Sequence, residues 1–189
     1  MLLQGRKILL GVCGSIAAYK SAVLVRLLIK AGAEVQVILT ASASAFVTPL
    51  TLGTLSKKPV LTSFLKNEAA GEWHNHVHLG LWADALVVAP ASANTIGHLA
   101  NGLCDSLLDA VYLSARCPVF LAPAMDLDMY AHPAVTQNFA RLRSYGNHVL
   151  ESPAGELASG LSGPGRMLEP EEIVAELERF FASSASERA

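Results

Sequence analysis

Short apolar runs bounded by glycine, proline or small polar residues recur along this chain, and most are followed by a stretch with helical spacing. KILLGV at Lys7–Val12 predicts a strand, after which Gly14, Ser15, Ile16, Ala17 and Ala18 open a helix that runs to about Ala31 and stops at Gly32. EVQVIL at Glu34–Leu39 predicts the second strand. Five consecutive apolar residues at 85–89, ending in Pro90, predict a strand buried on both faces. PVFLA at 118–122 predicts another, and a last strand is expected around 148–150. The intervening segments predict helices at 95–100 and 103–115, separated by Gly102, and at 131–145, with an amphipathic helix at 170–181 closing the domain. This alternation predicts an α/β fold: a Rossmann-like three-layer sandwich with an open parallel sheet of about five or six strands and its ligand at their carboxyl ends.

Other stretches are less regular. Between 42 and 64, Pro49 and Pro59 bracket a short helix at 51–56, and Val60 and Leu61 are extended. Residues 66–71 are polar and predict a surface loop. Residues 151–167 are rich in Gly, Ser and Pro and too long for a simple connector, which marks a functional loop. One domain is expected over 1–181, with a disordered polar tail at 182–189.

Two strand exits carry chemistry. The glycine turn after the first strand has the generic geometry of a phosphate or cofactor site, but its spacing is Gly11-x-x-Gly14 rather than GxGxxG. The second strand ends in Thr40, with no acid to hold an adenosine ribose, so a nicotinamide dinucleotide is disfavoured. After Pro90 comes the cluster Ser92, Ala93, Asn94 and Thr95 at a strand-to-helix junction. Helix capping alone, with Asn94 or Thr95 as N-cap, accounts for these residues; the same hydroxyls, amide and free N–H groups also suit a phosphate monoester.

With 189 residues, 52% hydrophobic and 16% charged, the chain has room for a large core, and its mean hydropathy of +0.39 calls for cover beyond a monomer's own surface. No apolar run approaches the roughly 18 residues of a membrane span, so burial between subunits is expected instead. Arg6, Lys7 and the apolar residues after them imitate a signal peptide, but Gly11 and Gly14 interrupt the run. A net charge of −2 without a basic stripe argues against nucleic acid. Cys13, Cys104 and Cys117 are odd in number and lack CxxC spacing, which predicts neither disulfides nor zinc and fits a reducing cytoplasm. His74, His76 and His78 share one face if the backbone is extended and fan out on a helix, and no carboxylate or cysteine at ligand spacing accompanies them.

The run from Pro90 to Thr95, followed by Gly102, Leu103, Cys104, Asp105, Leu107 and Leu108, resembles the flavin-binding motif of the homo-oligomeric flavin-containing cysteine decarboxylases. Within that family the chain is most similar to the phosphopantothenoylcysteine decarboxylases, from Lys7 to about Ile173. The resemblance implies FMN as cofactor. Gly14, Ser15 and Ile16 match the turn that contacts it, Thr40 and Ser42 with Phe46 match the second flavin segment, and Ser92, Ala93, Asn94 and Thr95 complete the set. Ala124 is expected at the flavin ring. His76, six residues before Trp82, falls in the register of the family's active-site base, a role that suits a side chain titrating near neutral pH.

Two positions depart from the family pattern. Pro123, Ala124 and Met125 match its PAMN substrate segment, but Asp126 stands where the family has asparagine, so a cation such as Arg166 is expected to compensate it beside the substrate carboxylate. Ala158, Gly165, Arg166 and Met167 match the substrate clamp ACGxxGxGRM, in which Ser159 replaces the cysteine. In the family's scheme the substrate cysteine yields a hydride equivalent from Cβ to flavin, loses CO2 as an enethiolate, and is then reprotonated by the clamp cysteine. A thiol of pKa about 8.5 is a far better acid than a serine hydroxyl, so Ser159 is expected to slow that last step.

The resemblance therefore implies decarboxylation of 4′-phosphopantothenoylcysteine to 4′-phosphopantetheine, with His76 and Ser159 catalytic and Met125, Asp126, Ala158, Gly165, Arg166 and Met167 at the substrate. It also implies a trimer or dodecamer, and allows for a fused phosphopantothenoylcysteine synthetase domain. The alternatives are oxidative decarboxylation of a peptide's C-terminal cysteine, which Ser159 favours, and a regulatory flavin binder without catalysis, which His76 disfavours. A flavin prenyltransferase fits less well, because that branch lacks the Pro123–Met125 segment and the clamp.

Overall fold

The computed structural model describes residues 3–67 and 69–186. Strand β1 (Lys7–Val12) leads through a 3-10 turn (Ile16–Tyr19) into α1 (Lys20–Lys30), and β2 (Glu34–Leu39) through a second 3-10 turn (Ala41–Ala45) into α2 (Pro49–Ser56). A small hairpin, β3 (Leu65–Asn67) and β4 (Glu72–Trp73), precedes α3 (His76–Trp82). Next come β5 (Ala85–Ala91), α4 (Ala93–Asn101), α5 (Leu107–Ser114), β6 (Val119–Pro123), α6 (Leu127–Ala131), α7 (Pro133–Ser144) and β7 (His148–Val149). A second hairpin, β8 (Ala154–Glu156) and β9 (Ser162–Pro164), leads to α8 (Pro170–Ser186).

The main sheet has five parallel strands in the order β2-β1-β5-β6-β7. The chain reverses its direction of travel across the sheet between β1 and β5, and in such sheets the crevice at that reversal, outside the carboxyl ends, is where ligands bind. Residue alternation divides the core in two. Ile8, Leu10, Val12, Val87 and Ala89 face Leu24, Val25 and Leu28 of α1 and Ile173, Leu177 and Phe181 of α8. Leu9, Leu86 and Val88 face Ile96 and Leu99 of α4, Leu108 and Val111 of α5 and Phe139 and Leu142 of α7. Every residue of β5 is buried, as expected for the middle strand of a doubly covered sheet.

Several boundaries differ from the sequence reading. The helix expected from 103 begins only at Leu107, because Ser106 forms a capping box with Asp109. The polar stretch 66–71 is flanked by paired strands rather than forming a plain loop. The helix expected at 131–145 starts at Pro133, because Pro133 holds His132 in extended backbone, and a separate short helix, α6, which the sequence reading lacked, ends just before it at Ala131. The clamp loop contains the β8–β9 hairpin. Helix α8 passes Phe181 and reaches Ser186, since neither Gly nor Pro interrupts it; the rest of the expected tail, 187–189, lies outside the described residues. None of the described helices is long and apolar enough to cross a membrane.

Candidate functional site

Four loops leave the carboxyl edge of the sheet side by side. Backbone hydrogen bonds fix their register: Thr40 N–H donates to Val12 at 3.0 Å, Cys13 to Pro90 at 3.2 Å and Ala124 to Ala91 at 3.0 Å. In the loop after β1, the Ser15 Oγ caps the first 3-10 turn by accepting from Ala17 N–H at 3.2 Å. Gly14 lies so close to the loop after β2 that a Cβ there would sit 2.6 Å from Ser42 Oγ and 2.7 Å from its Cβ. That close approach, with Thr40 Oγ1 and Ser42 Oγ 3.3 Å apart, makes a shared cradle of hydroxyls and backbone. Phe46, 47% exposed, ends the second segment.

After β5, Ser92 is the N-cap of α4, not Asn94 or Thr95, because the strand continues to Ala91 and the helix starts at Ala93. Ser92 Oγ accepts from Thr95 N–H at 3.3 Å and donates to Thr95 Oγ1 at the same distance. Asn94 is exposed in the first turn, where helix N–H groups lack intrahelical partners. Beneath this turn Cys13 is completely buried, and burial pushes its thiol up to about 11, against the lowering effect of Thr95 and the Ser92 backbone. The thiol is a packed, protonated prop rather than a nucleophile. This donor set of hydroxyls, free helix N–H groups and a glycine-permitted close approach fits a phosphorylated cofactor such as FMN.

A cavity of about 530 Å³ opens beside the cradle. It brings together Ser15 and Ile16 from the first loop, Ala124, Met125 and Asp126 from the loop after β6, and Ala158, Gly165, Arg166 and Met167 from the clamp. The clamp is strapped down where Met125 N–H donates to Gly165 carbonyl at 3.0 Å. Five lining residues escaped the sequence reading as site residues: Ala17, Tyr19, Lys20, Glu156 and Leu157. Lys20 had a signal, because it lies four residues after Ile16, one helical turn along the same face. Its Nζ binds Glu169 Oε1 at 2.7 Å, and Arg166 Nη2 lies 3.4 Å from the same oxygen. Arg166 thus pairs with Glu169 and not, as the sequence suggested, with Asp126; among the described residues no ion pair reaches Asp126.

Two expected catalytic residues lie elsewhere. Ser159 is exposed at the turn between β8 and β9, its Oγ 3.4 Å from Leu161 N–H, and does not line the cavity. His76 opens α3, with its ring against Trp73 and Phe64 at centroid distances of 5.6 and 6.3 Å, and is also outside the cavity. Its Nδ1 is buried without a hydrogen-bond partner among the described residues. Because α3 starts at His76, the three histidines do not share one extended face. His74 is held below the usual imidazole range by burial and then by Lys66. Among the described residues, no group of three or more His, Cys, Asp or Glu side chains is placed to hold a metal ion.

The Flavoprotein family model matches residues 2–182. A cysteine/cysteine sulfinic acid decarboxylase from an unknown prokaryotic organism is 60% identical over 136 residues, covering 72% of this chain and 38% of its own length. The coenzyme A biosynthesis bifunctional protein CoaBC of Bacillus subtilis (strain 168) is 45% identical over 185 residues, covering 98% of this chain and 45% of its own. The chain thus spans less than half the length of these two relatives. The solved structure of a PPC decarboxylase with a cysteine-to-serine mutation, complexed with pantothenoylaminoethenethiol, superimposes with a TM-score of 0.83 at 33% identity, covering 95% of this chain and 100% of that one. With the family match running over nearly its whole length and a like-folded decarboxylase superimposing on it, the chain belongs to the Flavoprotein family, on the side of the flavin-dependent cysteine decarboxylases.

Proposed function

We propose that this chain is an FMN-dependent decarboxylase acting on a cysteine or a cysteine derivative. The observation that carries this reading is the junction of two sites at one sheet edge. A phosphate-fitting cradle, made by Gly14, Ser15, Thr40, Ser42, Ser92 and Thr95, adjoins a cavity floored by Ala124–Asp126 and covered by the clamp. A bound flavin would supply the site with a two-electron acceptor for the substrate's Cβ hydride and a donor to restore it after CO2 has left.

The chain's own residues then divide the remaining work. Gly14, Ser15, Ser42 and the first turn of α4 hold the phosphate, and Ile16, Phe46, Ala93, Asn94 and Ala124 bound the rest of the cofactor. Met125, Gly165 and Met167 form the dry wall that excludes water from the thiol and carboxylate; Met167 is only 1% exposed. His76 takes the thiol proton. Because it lies outside its own chain's cavity, it serves a neighbouring subunit's site in the trimer or dodecamer, where its unpartnered Nδ1 finds an acceptor or donor. A synthetase partner domain fits the relatives whose length this chain covers only in part.

One relative's name gives cysteine and cysteine sulfinic acid, and a structural neighbour is named a PPC decarboxylase; we take free cysteine and phosphopantothenoylcysteine as the two substrates to test. Ser159, exposed and hydrogen-bonded within its own turn, favours a second outcome in which the product leaves as the enethiol and its two electrons pass in the end to an external oxidant such as dioxygen. The test is to load the purified protein with FMN, supply each substrate, and record CO2 release and product mass. A saturated thiol indicates the complete cycle; a product two hydrogens lighter indicates release at the enethiol. FMN-loaded protein that releases CO2 from neither of these substrates nor from a cysteine-ended peptide would leave only the regulatory reading.

A further inference from the structure

The charges lining the cavity bear on what substrate it holds. Asp126, half-buried, and Glu156, exposed, bring two carboxylates to the lining, neither in an ion pair among the described residues. Lys20 and Arg166 bring two cations to the same lining, and they share a single carboxylate oxygen of Glu169, at 2.7 and 3.4 Å. Lys20 is held firmly there, with its side chain only 12% exposed. Two positive charges against one negative leave a spare cation beside Glu169, while Asp126 has no ion-pair partner among the described residues. Counted together, the five groups sum to −1.

We propose that Asp126 selects a substrate with a free α-ammonium group: an unacylated amino acid thiol, cysteine itself, whose ammonium faces Asp126 and whose carboxylate faces Lys20 and Arg166. This rests on the decarboxylase reading above and narrows its substrate class. An acylated cysteine offers Asp126 only a neutral amide, so its carboxylate enters with no positive charge to offset the two acids. Phosphopantothenoylcysteine adds a phosphate of charge about −1.5 to −2. Like charges brought into one partly desolvated site are costly. A zwitterion, net neutral, offers an ammonium to Asp126 and a carboxylate to the Lys20 and Arg166 cations. Asparagine at position 126, the family's residue, would remove that preference while keeping shape and hydrogen bonding.

The reaction balances on this substrate. Cysteine yields the thiol proton and a Cβ hydride, two electrons in all, to give the thioaldehyde. The bond from Cα to the carboxylate then breaks, CO2 leaves, and the electron pair rests on sulfur as aminoethenethiolate. Return of the hydride to Cβ and addition of a proton at each of Cα and sulfur, the two protons from water, give cysteamine.

The experiment compares kcat/KM of the FMN-loaded holoenzyme for L-cysteine, N-acetyl-L-cysteine and 4′-phosphopantothenoyl-L-cysteine, in wild type, Asp126→Asn and Asp126→Glu. Each variant is checked for flavin content and thermal melting. The expected result is that wild type prefers L-cysteine by about tenfold or more, that Asp126→Asn loses this preference mainly through KM, and that Asp126→Glu retains part of it. In parallel, the bound flavin's absorbance is titrated with L-cysteine and with 3-mercaptopropionate, which lacks the ammonium and should bind wild type at least about tenfold more weakly. A wild type that prefers either acylated substrate, or an Asp126→Asn protein with unchanged ranking, overturns the proposal. If no substrate releases CO2, the decarboxylase reading falls, and the titration decides the charge argument alone. If Asp126→Asn fails to fold, the wild-type ranking and titration decide it.

Discussion

Met125 and Gly165 are joined by a 3.0 Å hydrogen bond from the Met125 N–H to the Gly165 carbonyl, and the approach is so close that no side chain fits at residue 165. A Cβ on Gly165 would run into the Met125 carbonyl, and the backbone there has φ of +135°, a conformation that L side chains rarely adopt. This contact ties the clamp to the exit of β6, so residues far apart in sequence share one cavity wall.

Gly165→Ala should therefore loosen the clamp without emptying the flavin cradle. We expect a loss of about 1–3 kcal/mol in local stability, read as a raised substrate KM with FMN affinity unchanged. Steady-state kinetics alongside an FMN fluorescence titration check it.

Gly14→Ala should act on the opposite side. Its Cβ would meet Ser42 at both Cβ and Oγ, forcing the loops after β1 and β2 apart. FMN affinity should fall by about tenfold or more, equivalent to roughly 1.4 kcal/mol, while apoprotein melting changes less. A titration of apoprotein with FMN measures this.

Cys13 gives the fold an alkaline limit. Its thiol, pushed up to about 11 from 9.0 by burial, stays protonated in the folded chain over a range where the unfolded chain ionises. Unfolded protein then binds fewer protons than folded, so stability falls as pH rises from about 9 to 11, by about 2–3 kcal/mol from this group. Denaturant melts of wild type and Cys13→Ala across that window should show a shallower slope in the variant, whose stability is lower at neutral pH from the cavity it leaves.

Asp109 is the buried centre of a local network. Its Oδ2 accepts from Ser106 N–H at 2.9 Å and Ser106 Oγ at 2.7 Å, with His98 Nδ1 at 3.4 Å. Asp109→Ala should uncap α5 and cost about 1–3 kcal/mol, seen as a lower denaturant midpoint. FMN affinity should change little, because the cradle residues at the start of α4 keep their own cap.

Much of the framework was legible because it is local. The apolar runs of β1, β2 and β5 are bounded by turn residues in sequence, and Gly32 stops the first helical segment with φ of +93°. The cradle residues Gly14 to Ile16 and Ser92 to Thr95 sit at strand exits, where the order of elements places them. Less legible were the ends of helices that depend on a particular cap. Ser106 starts α5 because Asp109 answers it, and Ser92 rather than its neighbours caps α4.

The sequence alone determined which segments pair with the sheet and which strand exits carry hydroxyl and amide groups, because periodicity and turn chemistry act over a few residues. Only the tertiary structure decided which charges meet. Lys20 and Glu169 lie 149 positions apart, and their contact exists only once α8 packs on α1. Glu169 also engages Arg166, and Asp126 has no ion-pair partner among the described residues, since electrostatic pairing is fixed by distance in space, which no local pattern records.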